Sequence, residues 1–229
     1  MISATISPET FAPASRINRS LTAALEKRAL IWLARRAPRW VTSDGLTLLG
    51  FGSQIACGIS YALVRFDSSA LFAAILCLIL NWLGDSLDGT IARVRHQERP
   101  RYGFYVDHIV DIFGATALMT SLGFSGLLHW PVAIAMLVAF LLLSAESFLA
   151  TYTLGRFQLS QGLFGPTEIR ILLVIGNLAV LHNPWRTLLG HRFLLFDVGG
   201  TIASAIMLAM AAATAIRHTA ELYRREPLN

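Results

Sequence analysis

The chain has 229 residues, of which 55% are hydrophobic and only 14% are charged, with a mean hydropathy of +0.57. Soluble domains carry about 25% charged residues, so this composition excludes an ordinary soluble protein and favours a membrane protein. The net charge is +5. With little soluble surface left, anionic lipid headgroups or a phosphorylated substrate fit this charge better than nucleic acid, and we expect no nucleic-acid partner.

Residues 1–40 form the first predicted unit, a cytoplasmic N-terminal segment. Its first residues lack the basic and apolar regions of a secretory signal. From Ile17 to Ala37 the apolar and basic residues recur with roughly helical spacing. This pattern predicts an amphipathic helix that lies on the membrane surface, with an ordinary solvated helix as the alternative. Pro38 should end this helix.

Six apolar stretches follow, and we interpret each as a membrane-spanning helix, since a span needs roughly 20 apolar residues. They cover residues 46–64, 70–91, 105–128, 131–154, 169–181 and 194–216. The predicted fold is therefore all-α, an integral membrane bundle of six transmembrane helices with an N-terminal amphipathic surface helix. The transmembrane catalytic domain should cover residues 41–218, and residues 219–229 should form a cytoplasmic tail.

The distribution of Lys and Arg predicts the orientation of this bundle. With the N-terminus in the cytoplasm, sixteen of the nineteen Lys and Arg residues fall in cytoplasmic segments, and the outer loops hold only Arg65, Arg186 and Arg192. Such a bias follows the positive-inside rule. We therefore expect a multi-pass protein of the bacterial cytoplasmic membrane, with the N-terminus and the acidic stretch described next on the cytoplasmic side.

Four aspartates mark the ends of the second and third spans. Asp85 and Asp88 are three residues apart, and Asp107 and Asp111 are four apart, so each pair shares one helical face. A short loop joins the two helices, which brings the two faces together. Carboxylates at this density need a cation, and hard divalent ions with oxygen ligands (Mg²⁺, Mn²⁺ or Ca²⁺) are the natural choice. Two ions are expected, as in many phosphoryl-transfer sites.

Three residues beside these aspartates fit a nucleotide diphosphate. Gly89 follows Asp88 and lets a phosphate approach the backbone. Ala92 is small, one turn further on, and leaves room for a base. Arg93 carries a forked, permanently charged donor. Each feature alone has a structural explanation, such as helix packing for Gly89, but their combination at one membrane face favours a binding site.

The combined pattern, DxxDGxxAR from Asp85 to Arg93 and GxxxDxxxD from Gly103 to Asp111, resembles the signature of CDP-alcohol phosphatidyltransferases. Every fixed position of the signature is present. The spacer between the two motifs has nine residues where about eight is usual, which a cytoplasmic loop should tolerate. Residues 41–50 also resemble the family's lead into its first span, although Ser43-Asp44 replaces the usual Pro-Asn.

The resemblance implies an enzyme in which an alcohol hydroxyl attacks the diphosphate of a CDP-linked lipid or CDP-alcohol and CMP leaves. Asp85, Asp88, Asp107 and Asp111 would hold Mg²⁺ or Mn²⁺, and Asp111 is also the candidate general base. Asp85, Asp88, Gly89, Ala92 and Arg93 would bind the nucleotide. The resemblance further implies phospholipid synthesis and a homodimer within the lipid bilayer, and CDP-diacylglycerol is the expected donor.

The alcohol acceptor has weaker candidates after the fourth span: Glu146, Tyr152, Arg156 and Arg170. An acid such as Glu146 inside a span should face the bundle interior. It either bonds the acceptor or pairs with another side chain, and the two arginines either hold a phosphate or anchor the spans. The identity of the alcohol stays open.

Two other functions compete with this interpretation. A membrane prenyltransferase also uses aspartates to bind a magnesium diphosphate, but it lacks the second motif. A divalent-cation transporter would place its acids near the middle of the membrane on several helices, whereas these acids gather at one face beside Arg93.

Overall fold

The computed structural model describes residues 15–17, 23–158, 165–188 and 190–227, with side chains described outside residues 15–17, 23 and 156–158. Within these ranges the chain forms seven α-helices and four short strands. The helices are α1 Ala23–Arg36, α2 Ser43–Leu63, α3 Ala70–Val94, α4 Pro100–Phe124, α5 Trp130–Leu154, α6 Pro166–His182 and α7 Leu195–Arg225. The strands are β1 Ser15–Ile17, β2 Arg156–Gln158, β3 Trp185–Leu188 and β4 His191–Leu194. The fold is all-α in character, as predicted.

Four of the described helices, α2, α3, α5 and α7, are long and apolar enough to cross a membrane. Their outer faces carry exposed apolar side chains at helical spacing. On α5, Ile134, Val138 and Leu142 are 55%, 46% and 50% exposed. A soluble monomer rarely exposes apolar surface of this extent, whereas lipid covers it at no cost. The chain is therefore a multi-pass membrane protein.

The remaining two predicted spans correspond to α4 and α6, and here length and composition do not confirm a crossing. α6 has only 17 residues. α4 has 25 residues, but the polar side chains of Asp107, His108 and Asp111 lower its hydropathy. The predicted number of six spans is thus not confirmed, because the helix with the second aspartate pair is less apolar than its neighbours.

Small residues allow α2 to pack very closely on α3 and α4. A Cβ atom added to Gly84 on α3 would lie 2.5 Å from the backbone nitrogen of Gly50 on α2. A Cβ atom added to Gly58 would lie 3.3 Å from the carbonyl oxygen of Ala117 on α4. Close contact between small residues is the usual way in which membrane helices associate. These contacts hold α2, α3 and α4 together as the unit that carries the aspartates.

The amphipathic helix does not begin at Ile17 as predicted, because Ile17 pairs with β2 as part of strand β1, and the described helix α1 spans Ala23–Arg36. This helix packs on the protein as well as facing outward. Leu30 and Ala34 are buried against Leu87 and Ile91 of α3, while Trp32 on the other side is 55% exposed. α1 is thus attached to the same helix that carries the first aspartate pair.

The C-terminal end of α3 is anchored to the turn between α1 and α2. The Arg95 guanidinium donates hydrogen bonds to the carbonyl oxygens of Ala37 at 3.0 Å, Pro38 at 2.9 Å and Val41 at 2.5 Å. Three accepting carbonyls satisfy most of a guanidinium's donors. Arg95 is therefore a structural link and not a free surface charge.

The short strands form two separate pairs. β1 pairs in parallel with β2, so residues near the N-terminus lie beside the segment after α5. β3 and β4 form an antiparallel hairpin between α6 and α7. Because α6 begins near the aspartates, the hairpin lies at the opposite end of the bundle.

Candidate active site

The four aspartates line one cavity between α2, α3 and α4. The other lining residues come from the same three helices: Thr47, Gly50, Phe51, Gln54, Asn81 and Val110. The helical spacing within each aspartate pair and the antiparallel arrangement of α3 and α4 bring the carboxyl groups to this point. The two aspartate pairs therefore face one cavity, as the sequence predicts. The expected direct packing of α3 on α4 is wrong, because both helices pack on α2 and make little contact with each other.

Two of the carboxylates on α3 have clear hydrogen-bond partners. Asp85 Oδ2 accepts a bond from the Arg170 guanidinium of α6 at 2.6 Å. Asp88 Oδ2 accepts a bond from the hydroxyl of Thr47 on α2 at 2.6 Å, and its other oxygen accepts one from the Gly89 N–H at 2.5 Å. Hydrogen bonds to a charged acceptor are among the strong ones in proteins. They fix the direction in which each carboxylate points.

Asn81 connects the arginine to the helix packing beneath it. Its side-chain nitrogen donates to the Gly50 carbonyl oxygen at 2.9 Å, and its side-chain oxygen accepts a bond from Arg170 Nε at 2.8 Å. Asn81 is buried, so an unsatisfied amide here would be costly. Arg170 is thus held on two residues of α3, Asn81 and Asp85, one helical turn apart.

The α4 side of the cavity is shaped by a missing side chain. A Cβ atom at Gly114 would lie 2.2 Å from the side-chain oxygen of Gln54, so the glutamine amide fills the space beside α4. Gly114 lies three residues after Asp111, on the same face of the helix.

His108, which follows Asp107, has partners within its own helix. Its Nδ1 atom is 2.7 Å from the Phe104 carbonyl oxygen, and its ring stacks on Phe104 at 4.1 Å. His108 therefore packs beside the site.

The donor set of the cavity fits a hard divalent cation. Its free volume is about 10 Å³, which is room for one water-sized sphere and not for a nucleotide. The four carboxylates supply only oxygen ligands, which Mg²⁺ and Mn²⁺ prefer. Among the described residues no three His, Cys, Asp or Glu side chains already converge at metal-ligand distances. Asp85 and Asp88 turn instead toward Arg170 and Thr47.

The residues predicted to bind the nucleotide lie just beyond this cavity, toward the end of α3. Arg93 is exposed, and its guanidinium folds back so that Nη2 donates to the Thr90 hydroxyl at 3.2 Å. Its Nη1 atom is 3.4 Å from the position of a Cβ atom on Gly89. A Cβ atom at position 89 would therefore be in van der Waals contact with this guanidinium. Ala92 is half-buried on the same helix.

The four residues predicted to bind the acceptor do not share one location. Arg170 lies at the cavity through its bond with Asp85. Glu146 instead contacts His218 of α7, with 2.5 Å between Oε1 and Nδ1. Tyr152 is 90% exposed on α5. The side chain of Arg156 lies outside the described residues.

Comparison with known proteins places this geometry in a family. The family model for CDP-alcohol phosphatidyltransferase matches residues 40–216, which include every helix from α2 to α6 and most of α7. The chain belongs to the CDP-alcohol phosphatidyltransferase family. It is accordingly a transferase. Sequence comparison with curated proteins gives no significant match.

Two of the solved structures that are similar to this chain belong to one enzyme. Both are of phosphatidylinositol phosphate synthase from Mycobacterium tuberculosis, at 22% sequence identity. The structure with CDP-DAG bound has a TM-score of 0.51 and an alignment covering 87% of this chain and 92% of that one. The apo structure has a TM-score of 0.48, with 86% and 93% covered. At this identity the first match supports the overall fold.

Sequence reasoning on this phosphatidyltransferase missed four residues around the site. Thr47 donates to Asp88, Gln54 and Asn81 line the cavity, and Glu26 joins α3 and α6 outside it. Asn81 had a usable signal, because an amide within an apolar span usually faces a partner. Thr47 lies in the stretch that resembles the family's lead into its first span. Glu26 stands out as an acid in a basic helix. None of these signals indicates which residue is the partner.

Proposed function

We propose that this phosphatidyltransferase transfers a phosphatidyl group from CDP-diacylglycerol to an alcohol and so makes a phospholipid. The alcohol oxygen forms a bond to the phosphorus next to the diacylglycerol, the bond from that phosphorus to the CMP oxygen breaks, and the alcohol proton passes to a base. The observation that carries this proposal is the meeting of all four signature aspartates at one cavity in a member of the family. The CDP-DAG bound to the mycobacterial enzyme supports the choice of donor.

Asp85, Asp88, Asp107 and Asp111 are the residues that would hold divalent cations, and two Mg²⁺ or Mn²⁺ ions remain our expectation. When bound, such ions would neutralise charge on the diphosphate and on the departing CMP. The Thr47 hydroxyl keeps Asp88 directed into the cavity. Gly89, Ala92 and Arg93 would bind the nucleotide beyond it, since Arg93 can place a forked donor against a diphosphate.

Asp111 is the proposed general base. It lies on the face of α4 that lines the cavity, one helical turn from Asp107. An alcohol is a weak nucleophile at neutral pH, so a carboxylate within hydrogen-bond reach of its hydroxyl assists attack by accepting the proton. The same carboxylate can serve as a ligand before the alcohol arrives.

For the acceptor, the geometry favours Arg170 among the four candidates. Its guanidinium is 2.6 Å from Asp85 and only partly exposed, with 16% of the side chain accessible. A guanidinium at the cavity would suit an alcohol that carries a phosphate. The contact with His218 supports structural pairing for Glu146. Tyr152 is exposed, and we assign it no role in acceptor binding.

The proposed topology has six spans, including α4 and α6, with the N-terminus and the aspartates in the cytoplasm. Support comes from the bias of Lys and Arg toward one side. Four arginines lie in or beside the α3–α4 connection at the aspartate end: Arg93, Arg95, Arg99 and Arg101. A bacterial cytoplasmic membrane and a homodimer are part of the same proposal.

The deciding experiment follows CMP release from the purified protein in liposomes with CDP-diacylglycerol, Mn²⁺ or Mg²⁺ and a panel of alcohols. The panel contains glycerol phosphate, inositol phosphate, serine, choline and ethanolamine. A parallel set offers CDP-alcohols with diacylglycerol. We expect one alcohol to support CMP release. If none does in either set, while the protein carries Mn²⁺ into liposomes, the cation-transporter interpretation replaces this one.

A further inference from the structure

Glu26 of α1 joins three helices through a single carboxylate oxygen. Its Oε1 atom accepts hydrogen bonds from the Trp82 indole N–H at 2.8 Å, the Ser86 hydroxyl at 3.0 Å and the Thr167 hydroxyl at 2.8 Å. Trp82 and Ser86 are one turn apart on α3, and Thr167 lies in the first turn of α6. A carboxylate oxygen is suited to several donors, and bonds to an ionised acceptor are the stronger kind.

The Glu26 junction lies beside the cavity, because both involve the contact between α3 and the first turns of α6. On α3, Ser86 directly follows Asp85. On α6, Thr167 is three residues before Arg170, so the two side chains lie on one face of the helix. Thr167 reaches α3 indirectly through Glu26, and Arg170 reaches it directly through Asp85 and Asn81.

We propose that Glu26 is a positioning residue that holds the first turn of α6 and thereby keeps Arg170 over Asp85. Further along, α6 is fixed to α2 by the buried bond from the Tyr61 hydroxyl to the Asn177 side-chain oxygen at 2.9 Å. Glu26 fixes the end of α6 nearest the cavity. The inference rests on the proposed function, because Arg170 is there assigned to the acceptor.

Removal of Glu26 should leave the protein folded. Leu30 and Ala34 of α1 pack against Leu87 and Ile91, and Arg95 holds the turn that follows α1. α3 itself is held by its close contact with α2 at Gly50 and Gly84. Loss of Glu26 therefore releases α6 and not α3. Binding of the alcohol acceptor should weaken more than binding of CDP-diacylglycerol.

The test compares Glu26→Ala, Glu26→Gln and Glu26→Asp with the wild type and with Lys27→Ala, an exposed neighbour on α1. KM is measured separately for CDP-diacylglycerol and for the alcohol that the wild type uses. Glu26→Ala should raise the acceptor KM roughly five- to tenfold, the size of one typical hydrogen bond, and change the donor KM less than about twofold. Glu26→Gln keeps the length and the accepting oxygen, so it should restore more activity than the shorter Glu26→Asp.

A double substitution checks the route through α6. Thr167→Val should raise the acceptor KM in the same direction, and adding it to Glu26→Ala should have little further effect, because both remove one contact. Additive effects, or equal changes in both KM values, would overturn the positioning role.

Amide hydrogen exchange separates this inference from the proposed function. Glu26→Ala should speed exchange in residues 169–172 relative to the wild type and Lys27→Ala, since the first turn of α6 is released. Unchanged exchange overturns the inference whatever the activity. A wild-type protein that turns over no alcohol overturns the proposed function instead, while faster exchange in the variant would still support the junction.

Discussion

Asp88 receives hydrogen bonds from two different helices, and this distinguishes it from an acid at an ordinary helix end. The Gly89 N–H belongs to its own helix, whereas the Thr47 hydroxyl comes from α2, at 2.6 Å. Thr47 also donates, at 3.1 Å, toward the Ser43 carbonyl oxygen one turn back, so its hydroxyl is shared between two acceptors. The carboxylate direction thus depends on a residue 41 positions away in the chain.

Thr47→Val should weaken the enzyme without unfolding it. Valine keeps the shape of threonine but cannot donate to Asp88, so the hydrogen bond that holds the Asp88 carboxylate in one orientation is lost. We expect kcat/KM for CDP-diacylglycerol to fall roughly tenfold, in line with one hydrogen bond to a charged group, and more Mn²⁺ to be needed for half-maximal rate. Thr153→Val is the matched control, because the exposed Thr153 hydroxyl bonds only within α5, to the Leu149 carbonyl oxygen. An unchanged Mn²⁺ requirement in Thr47→Val would contradict the role of this bond.

Asp111→Asn tests the general base. The amide has nearly the shape of the carboxylate but cannot accept a proton at neutral pH. Turnover should be lost, by about a hundredfold or more, while binding of CDP-diacylglycerol measured by calorimetry stays within a few-fold of the wild type. Lost binding together with residual turnover would mean that Asp111 acts only as a ligand.

Among the helices, the contact between α2 and α3 decides whether the site forms. The missing Cβ atom of Gly84 points at backbone atoms of α2, the Gly50 nitrogen and the Leu46 carbonyl oxygen. Backbone atoms within a helix cannot move aside as a flexible side chain can. The same contact sets the distance from Thr47 to Asp88 and allows Asn81 to reach the Gly50 carbonyl oxygen.

Gly84→Ala should therefore separate α2 from α3. Its Cβ atom would lie 2.5 Å from Gly50 N and 2.6 Å from Leu46 O. Overpacking of this kind costs about 1–3 kcal/mol, so thermal unfolding in detergent should shift down by several degrees and CMP release should fall. Gly52→Ala is the control on α2, because no atom lies within 4 Å of its Cβ position. Equal stability of the two variants would show that the helices can relax.

The whole molecule has two distinct ends. One end holds the aspartate cavity, the connection from α3 to α4 and the start of α6. The other end holds the hairpin of β3 and β4, which follows α6 and precedes α7. Most Lys and Arg residues lie at the first end, so the charge distribution and the position of the site agree.

Cysteine labelling tests the orientation of these ends. Glu98→Cys lies in the connection from α3 to α4, and His191→Cys lies in the hairpin. In intact cells a membrane-impermeant maleimide should label only His191→Cys, and Glu98→Cys should react only after permeabilisation. The wild type provides the background, since Cys57 is buried and Cys77 is partly buried. Labelling of both positions from the same side would exclude the proposed topology.

Local sequence patterns are sufficient to predict where the apolar helices lie and which aspartates share a helical face. Apolar runs are visible in the sequence, and α2, α3, α5 and α7 are long and apolar enough to cross a membrane, as predicted. α7 continues to Arg225, beyond the predicted end of its span at residue 216. The predicted crossing by α4 is not confirmed, because the carboxylates that line the cavity also reduce the apolar signal of their own helix. The meeting of the two pairs depends on α2, because α3 and α4 both pack on α2 and make little contact with each other.

The amino-acid order alone specified the spacing of Asp85, Asp88, Asp107 and Asp111, because the 3.6-residue helical repeat acts within a few residues of the chain. It did not specify their partners. Arg170 is 85 positions from Asp85, and Thr167 is 141 positions from Glu26. Such contacts exist only after helices pack, and the packing here depends on where side chains are absent, as at Gly50 and Gly84. The direction of each carboxylate, and the link from the surface helix to the cavity, are therefore properties of the folded bundle.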